Sequence, residues 1–149
     1  GKTLTSLGIC EKLGVENVLF LTKKKAIQSI SDDYDTLCPV GFSLFTINYE
    51  SMHKAPDLKW DIIICDESHS LGAFPKPNKR ARGVKDLISK SKAKVILLSG
   101  TPTPESYSQM YHQVYGVKGN PFAEYKNFYR FCDKYVFNFN WKLFFCIFC

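Results

Sequence analysis

The stretch Ile62-Ile63-Ile64-Cys65-Asp66-Glu67-Ser68-His69 decides the fold: four apolar residues run straight into two carboxylates, a hydroxyl and an imidazole. A short apolar run without alternation is what a strand covered by helices on both faces looks like in a parallel sheet. Three further runs read as strands: Val18-Leu19-Phe20-Leu21, Phe42-Ser43-Leu44-Phe45-Thr46-Ile47 and Val95-Ile96-Leu97-Leu98. The run at 42–47 alternates slightly and is expected nearer an edge of the sheet.

Segments of helical character separate the strands: Lys2 to Leu13, Lys24 to Asp33, Val84 to Lys90, Pro104 to Tyr115 and Phe122 to Tyr135. Alternation of this kind implies right-handed crossovers and an open, doubly wound α/β sheet. Thr103 suits the cap of the fourth helix, with Pro104 at the first helical position, where its missing N–H costs nothing. Phe74-Pro75-Lys76-Pro77-Asn78-Lys79-Arg80 reads as a basic, proline-bearing loop between the third and fourth strands.

With 149 residues, 45% hydrophobic and 23% charged, the chain is expected to form one folded domain whose core needs neither disulfides nor metals. Lys and Arg total 20 against 14 Asp and Glu, and the formal charge of +6 suits a polyanionic partner. The six cysteines are irregularly spaced and follow no secretory leader, so reduced thiols in an intracellular setting, cytoplasm or nucleoid or nucleus, are expected. No apolar run approaches the roughly 18 to 20 residues that span a bilayer, which excludes a membrane-embedded chain. The sequence opens at Gly1 and not at Met, and so reads as a fragment. Residues 137–149 hold five Phe and a single charge, Lys142, and read as an aberrant or truncated apolar tail. Its Cys146 and Cys149 form a lone C-x-x-C, short of the four ligands of a structural zinc site.

Polar groups gather where the apolar runs stop. Asn48-Tyr49-Glu50 follows the second strand, Asp66-Glu67-Ser68-His69 the third and Ser99-Gly100-Thr101-Pro102 the fourth. In an open α/β sheet ligands bind outside the carboxyl ends of the strands, so these segments point to one crevice. Gly1-Lys2-Thr3, followed by a helical segment, matches the last three residues of the phosphate-binding pattern G-x-x-x-x-G-K-[ST]. A helix N-terminus offers N–H groups and a positive dipole end to a phosphate, Lys2 adds a point charge, and the Thr3 hydroxyl can ligate Mg²⁺. Asp66 can hold the same cation through oxygen, and Glu67 can orient the attacking water.

Taken together, the segments resemble superfamily 2 helicases and translocases. Gly1-Lys2-Thr3 matches the end of their motif I, Asp66-Glu67-Ser68-His69 the D-E-x-H form of motif II, and Ser99-Gly100-Thr101-Pro102 motif III. The Gly-Thr-Pro and the Tyr49-Glu50 pair look like the Swi/Snf-like branch. The resemblance implies an α/β RecA-like P-loop lobe, an open parallel sheet with helices on both faces, lacking its first strand. It divides the chain into a partial helicase ATP-binding lobe, 1–136, and the tail. It implies ATP and Mg²⁺ as cofactors: Gly1, Lys2 and Thr3 at the nucleotide, Thr3 and Asp66 at the metal, Glu67 activating water, and His69, Ser99, Gly100 and Thr101 coupling nucleotide state to nucleic-acid binding. Lys23, Lys24, Asn48 and Tyr49 are implied along the nucleic-acid backbone, with DNA favoured over RNA, and a second RecA-like lobe of the same parent is implied across the cleft. ATP hydrolysis is expected of the intact parent, and the isolated piece is expected to be inactive without the upstream half of motif I and the second lobe's arginines. The alternative is a non-catalytic basic module that binds nucleic acid and carries vestigial motifs.

Overall fold

The computed structural model describes residues 1–37, 39 and 41–136. The expected tail at 137–149, with Cys146 and Cys149, lies outside the described residues.

Four strands, β1 (Asn17–Thr22), β2 (Ser43–Asn48), β3 (Ile62–Cys65) and β4 (Lys94–Leu97), form one sheet in the order β2-β1-β3-β4, with every pairing parallel. The expected α/β class is therefore the observed one. β1 and β3, two of the three unbroken apolar runs, are the central strands, and all four residues of β3 are buried, whereas the third run, β4, lies at the other edge of this sheet with Val95 alone among Lys94–Leu97 buried. β2 lies at an edge, as its partial alternation implies: Ser43 and Phe45 face outward.

The period of two along each strand divides the core between two faces. Leu19, Leu21, Ile63 and Cys65 pack with Tyr49, Trp60, Ala81, Val84 and Ile88 on one side. Val18, Phe20, Ile62 and Ile64 pack with Leu7, Cys10, Ile30 and Phe42 on the other. Helices α1 (Lys2–Lys12) and α2 (Ile27–Leu37) cover the second face and α3 (Lys79–Ser91) covers the first. A smaller cluster of Val114, Phe122, Phe128, Phe131 and Cys132 joins α4 (Gln109–Gln113) to α5 (Phe128–Tyr135).

Several helix boundaries differ from expectation, each for a local reason. α3 begins at Lys79 and not near Val84, because the Asn78 side chain accepts the Ala81 N–H at 2.9 Å and caps the helix inside the proline-bearing segment. The helix expected from Pro104 to Tyr115, with Thr103 as its cap, is reduced to α4. The Gln109 side chain accepts the N–H groups of Glu105 and Ser106, holding that segment in a turn, and Gly116 sits at φ +83° just beyond. The last helix starts at Phe128 and not at Phe122, because Asn127 accepts the Arg130 N–H and Asn120 the Phe122 N–H. A short 3-10 turn, Lys24–Ala26, precedes α2 where one continuous helix was expected.

Candidate functional site

Parallel pairing brings the carboxyl ends of all four strands to one edge, and the polar segments that follow them meet there. Leu21 pairs with Cys65, so Thr22 and Asp66 are the next residues on adjacent strands. The Asp66 N–H donates to the Leu21 carbonyl at 2.9 Å, continuing the ladder one residue past β3. On the other side the Ser68 N–H donates to the Leu98 carbonyl at 2.9 Å. To leave one strand neighbour and reach the other, the backbone turns sharply at Glu67, at φ 49° and ψ 48°. A left-handed conformation costs a non-glycine residue roughly 1–2 kcal/mol. Such strain gathers at functional sites.

The turn brings His69 to the segment that follows β4. His69 Nδ1 lies 3.3 Å from the Glu67 carboxylate and 3.1 Å from the Ser99 hydroxyl. Ser99 Oγ also accepts the Thr101 N–H at 3.2 Å. Glu67, His69, Ser99 and Thr101 thus form one polar chain across the ends of β3 and β4. Gly100 approaches the start of α1: a Cβ there would lie 3.9 Å from Lys2 Nζ. Gly1 caps α1 without a side-chain hydrogen bond, so its first turn offers N–H groups, an exposed ammonium at Lys2 and a half-buried hydroxyl at Thr3.

Lys23 and Lys24 are exposed immediately beyond β1. Asn48 and Tyr49 are placed differently. Asn48 Oδ1 accepts the Ser51 N–H at 2.9 Å, capping the 3-10 turn Tyr49–Lys54. Tyr49 is 2% exposed, and its hydroxyl donates to the Asp66 carbonyl at 2.6 Å. Its side chain therefore faces the core beneath motif II and not the solvent. Burial, the Cys65 thiol and the Asp66 carboxylate push its ionisation well above the usual phenol range, so it stays a donor. Burial likewise pushes the Cys65 thiol up to about 12.

Sequence reasoning missed the supporting role of four residues at this edge, of which Thr22 and Arg80 were expected only beside the nucleic-acid path. Thr22, fully buried, donates from its hydroxyl to Asp66 Oδ2 at 2.8 Å. Gln113 accepts from the Ser68 hydroxyl at 3.1 Å and donates to the Pro102 carbonyl, joining the segments after β3 and β4. Asn78, besides capping α3, donates to the Ser70 carbonyl at 2.8 Å. Arg80 lies over the Tyr49 ring, 5.5 Å from its centroid, and pairs with Glu50. For Thr22 a signal was present: a hydroxyl ending an otherwise apolar strand needs a buried partner.

The donor set suits a magnesium nucleotide. The Thr3 hydroxyl and the Asp66 carboxylate are hard oxygens of the kind that could hold a divalent cation, and Lys2 and the first N–H groups of α1, which starts beside Gly100, could meet a phosphate. The model of the SNF2-related domain family matches residues 4–137, most of the chain. No curated protein and no solved structure matches it.

Proposed function

The chain belongs to the SNF2-related domain family, and from that premise we propose that it is the first RecA-like motor lobe of a DNA helicase or translocase, binding and hydrolysing ATP at the carboxyl edge of its sheet. The observation that carries this reading is the convergence of Asp66, Glu67 and His69 after β3, Ser99 after β4, and Lys2 beside Gly100. The family match begins at Leu4, so the role of Gly1, Lys2 and Thr3 rests on that geometry.

Lys2 and the first N–H groups of α1 bind the nucleotide phosphates. Thr3 and Asp66 hold Mg²⁺, which when bound neutralises phosphate charge. Glu67 takes a proton from the attacking water and orients it. The contact from His69 to Ser99, and separately the bridge from Ser68 through Gln113 to Pro102, then link events at the phosphate to the segment after β4. Lys23 and Lys24, exposed at the same edge, contact DNA phosphates without reading bases. A second lobe closes the cleft from the other side. Among the described residues no helix is long and apolar enough to cross a membrane.

The test is Glu67→Gln in the intact protein. Nucleotide binding should persist while DNA-stimulated hydrolysis falls by about 10²-fold or more, the scale of a positioned general base. Lys2→Ala should weaken nucleotide binding itself. Unchanged DNA-stimulated turnover in the glutamine variant overturns the assignment and leaves ATP-independent DNA binding as the activity to pursue.

A further inference from the structure

We propose that Thr22 is a positioning residue for Asp66, fixing the carboxylate so that one chosen oxygen is presented to a divalent cation. The inference rests on the reading of Asp66 as a magnesium carboxylate and goes beyond it in naming what orients that group. Thr22 closes β1 after the apolar run Val18 to Leu21 and is fully buried. A hydroxyl in that position costs stability unless it is bonded. Its bond is the 2.8 Å donation to Asp66 Oδ2.

Asp66 is thereby held at three points. Its N–H donates to the Leu21 carbonyl, its own carbonyl accepts from Tyr49, and its Oδ2 accepts from Thr22. The hydrogen bond from Thr22 is to Oδ2, and no hydrogen bond to Oδ1 is found among the described residues. A carboxylate with one oxygen occupied by a fixed donor cannot rotate freely, and its second oxygen keeps one direction. Partners of this kind around metal ligands typically change metal affinity or activity by about 10- to 100-fold when removed. The rest of the strand after Asn17 is apolar, and a valine at position 22 would fill the same space and leave the carboxylate free to turn.

The experiment compares Thr22→Val and Thr22→Ser in the intact protein, with Asp66→Asn as the reference. Two readouts are taken: the Mg²⁺ concentration for half-maximal ATP hydrolysis, and Mn²⁺ binding in the presence of ADP followed by electron paramagnetic resonance. Thr22→Val should raise the half-maximal Mg²⁺ concentration and weaken Mn²⁺ binding by about tenfold or more, while Thr22→Ser stays within about twofold of wild type. A merely structural role would lower the melting temperature without moving the metal dependence. Should the valine variant not fold, Thr22→Ala removes the hydroxyl without adding bulk and gives the same comparison. Wild-type Mn²⁺ binding in the hydroxyl-free variant, with binding lost in Asp66→Asn, overturns the role of Thr22 alone. Wild-type Mn²⁺ binding in Asp66→Asn overturns the metal reading of Asp66 and this proposal with it.

Discussion

The Tyr49 hydroxyl donates to the Asp66 backbone carbonyl at 2.6 Å, tying the turn after β2 to the turn after β3. The ring is sealed beneath Arg80, whose guanidinium sits 5.5 Å from its centroid and pairs with Glu50 at the surface. A residue that sequence alone assigns to the nucleic-acid path thus holds the main chain of the motif II aspartate from below.

Tyr49→Phe removes this donor without opening a cavity. The expected loss of stability is about 1–2 kcal/mol, the cost of leaving a half-buried acceptor without its partner. Urea denaturation of wild type and variant, compared at equal slope, measures it. A change below about 0.5 kcal/mol would show that the carbonyl is satisfied without Tyr49.

Two glycines near the site should respond in opposite ways to the same substitution. A Cβ on Gly72 would meet the Gln109 carbonyl oxygen at 2.6 Å, Gln109 Cβ at 2.9 Å and the His69 carbonyl at 3.1 Å. These obstacles are mostly main chain, so Gly72→Ala must push α4 away from the motif II turn, at an expected cost of about 1–3 kcal/mol. On Gly83 the obstacles are the tip of Met52, Cε at 2.6 Å and Sδ at 2.9 Å. A methionine end can swing aside, and alanine inside a helix is favoured over glycine by up to about 1 kcal/mol, so Gly83→Ala should be neutral or stabilising. Equal losses in the two variants, read from denaturation midpoints, would contradict the close packing of Gly72 on Gln109.

What could be read from the sequence, and what could not, follows from the range of the interactions. The unbroken apolarity of Ile62 to Cys65 and the partial alternation of Phe42 to Ile47 report burial residue by residue, so strand positions and the central and edge ranks of β3 and β2 are legible. The meeting of Asp66 with Ser99 follows from parallel strands sharing one carboxyl edge. Helix starts are less legible because they depend on single side chains: Asn78 caps α3 within a segment whose prolines signal a loop, and Gln109 holds Glu105 and Ser106 in a turn ahead of α4. The least legible contacts cross between strands. Thr22 reaches Asp66 across 44 positions, a pairing fixed only by the β1–β3 register. Tyr49 carries a hydroxyl that could as well face water, and only the fold shows it pointing inward.

The last expectation concerns acid. His112, 4% exposed, donates from Nε2 to the Pro75 carbonyl at 3.0 Å, and its Nδ1 has no partner among the described residues. Its ring stacks on Phe128 at 5.7 Å and meets Tyr111 and Tyr115 edge-on. A proton added at Nδ1 would be buried among aromatic faces, and desolvation holds the imidazole below its usual value of 6.5, against the opposing pull of the Pro75 carbonyl. With the folded value depressed, the unfolded chain takes up the proton first. Stability from this group is therefore complete above 6.5, falls as the pH drops from there toward the folded value, and levels off below it. His112→Phe keeps the aromatic packing and abolishes this titration, at a pH-independent cost of about 1 kcal/mol for the lost hydrogen bond. Denaturation between about pH 7.5 and 5.5, the range in which histidines titrate, should show the wild type losing more stability than the phenylalanine variant. His53 and His69 are present in both proteins and cancel in the comparison. Parallel curves would mean that His112 binds its proton equally well in the folded and the unfolded chain, so that burial among the aromatic rings costs its cation nothing.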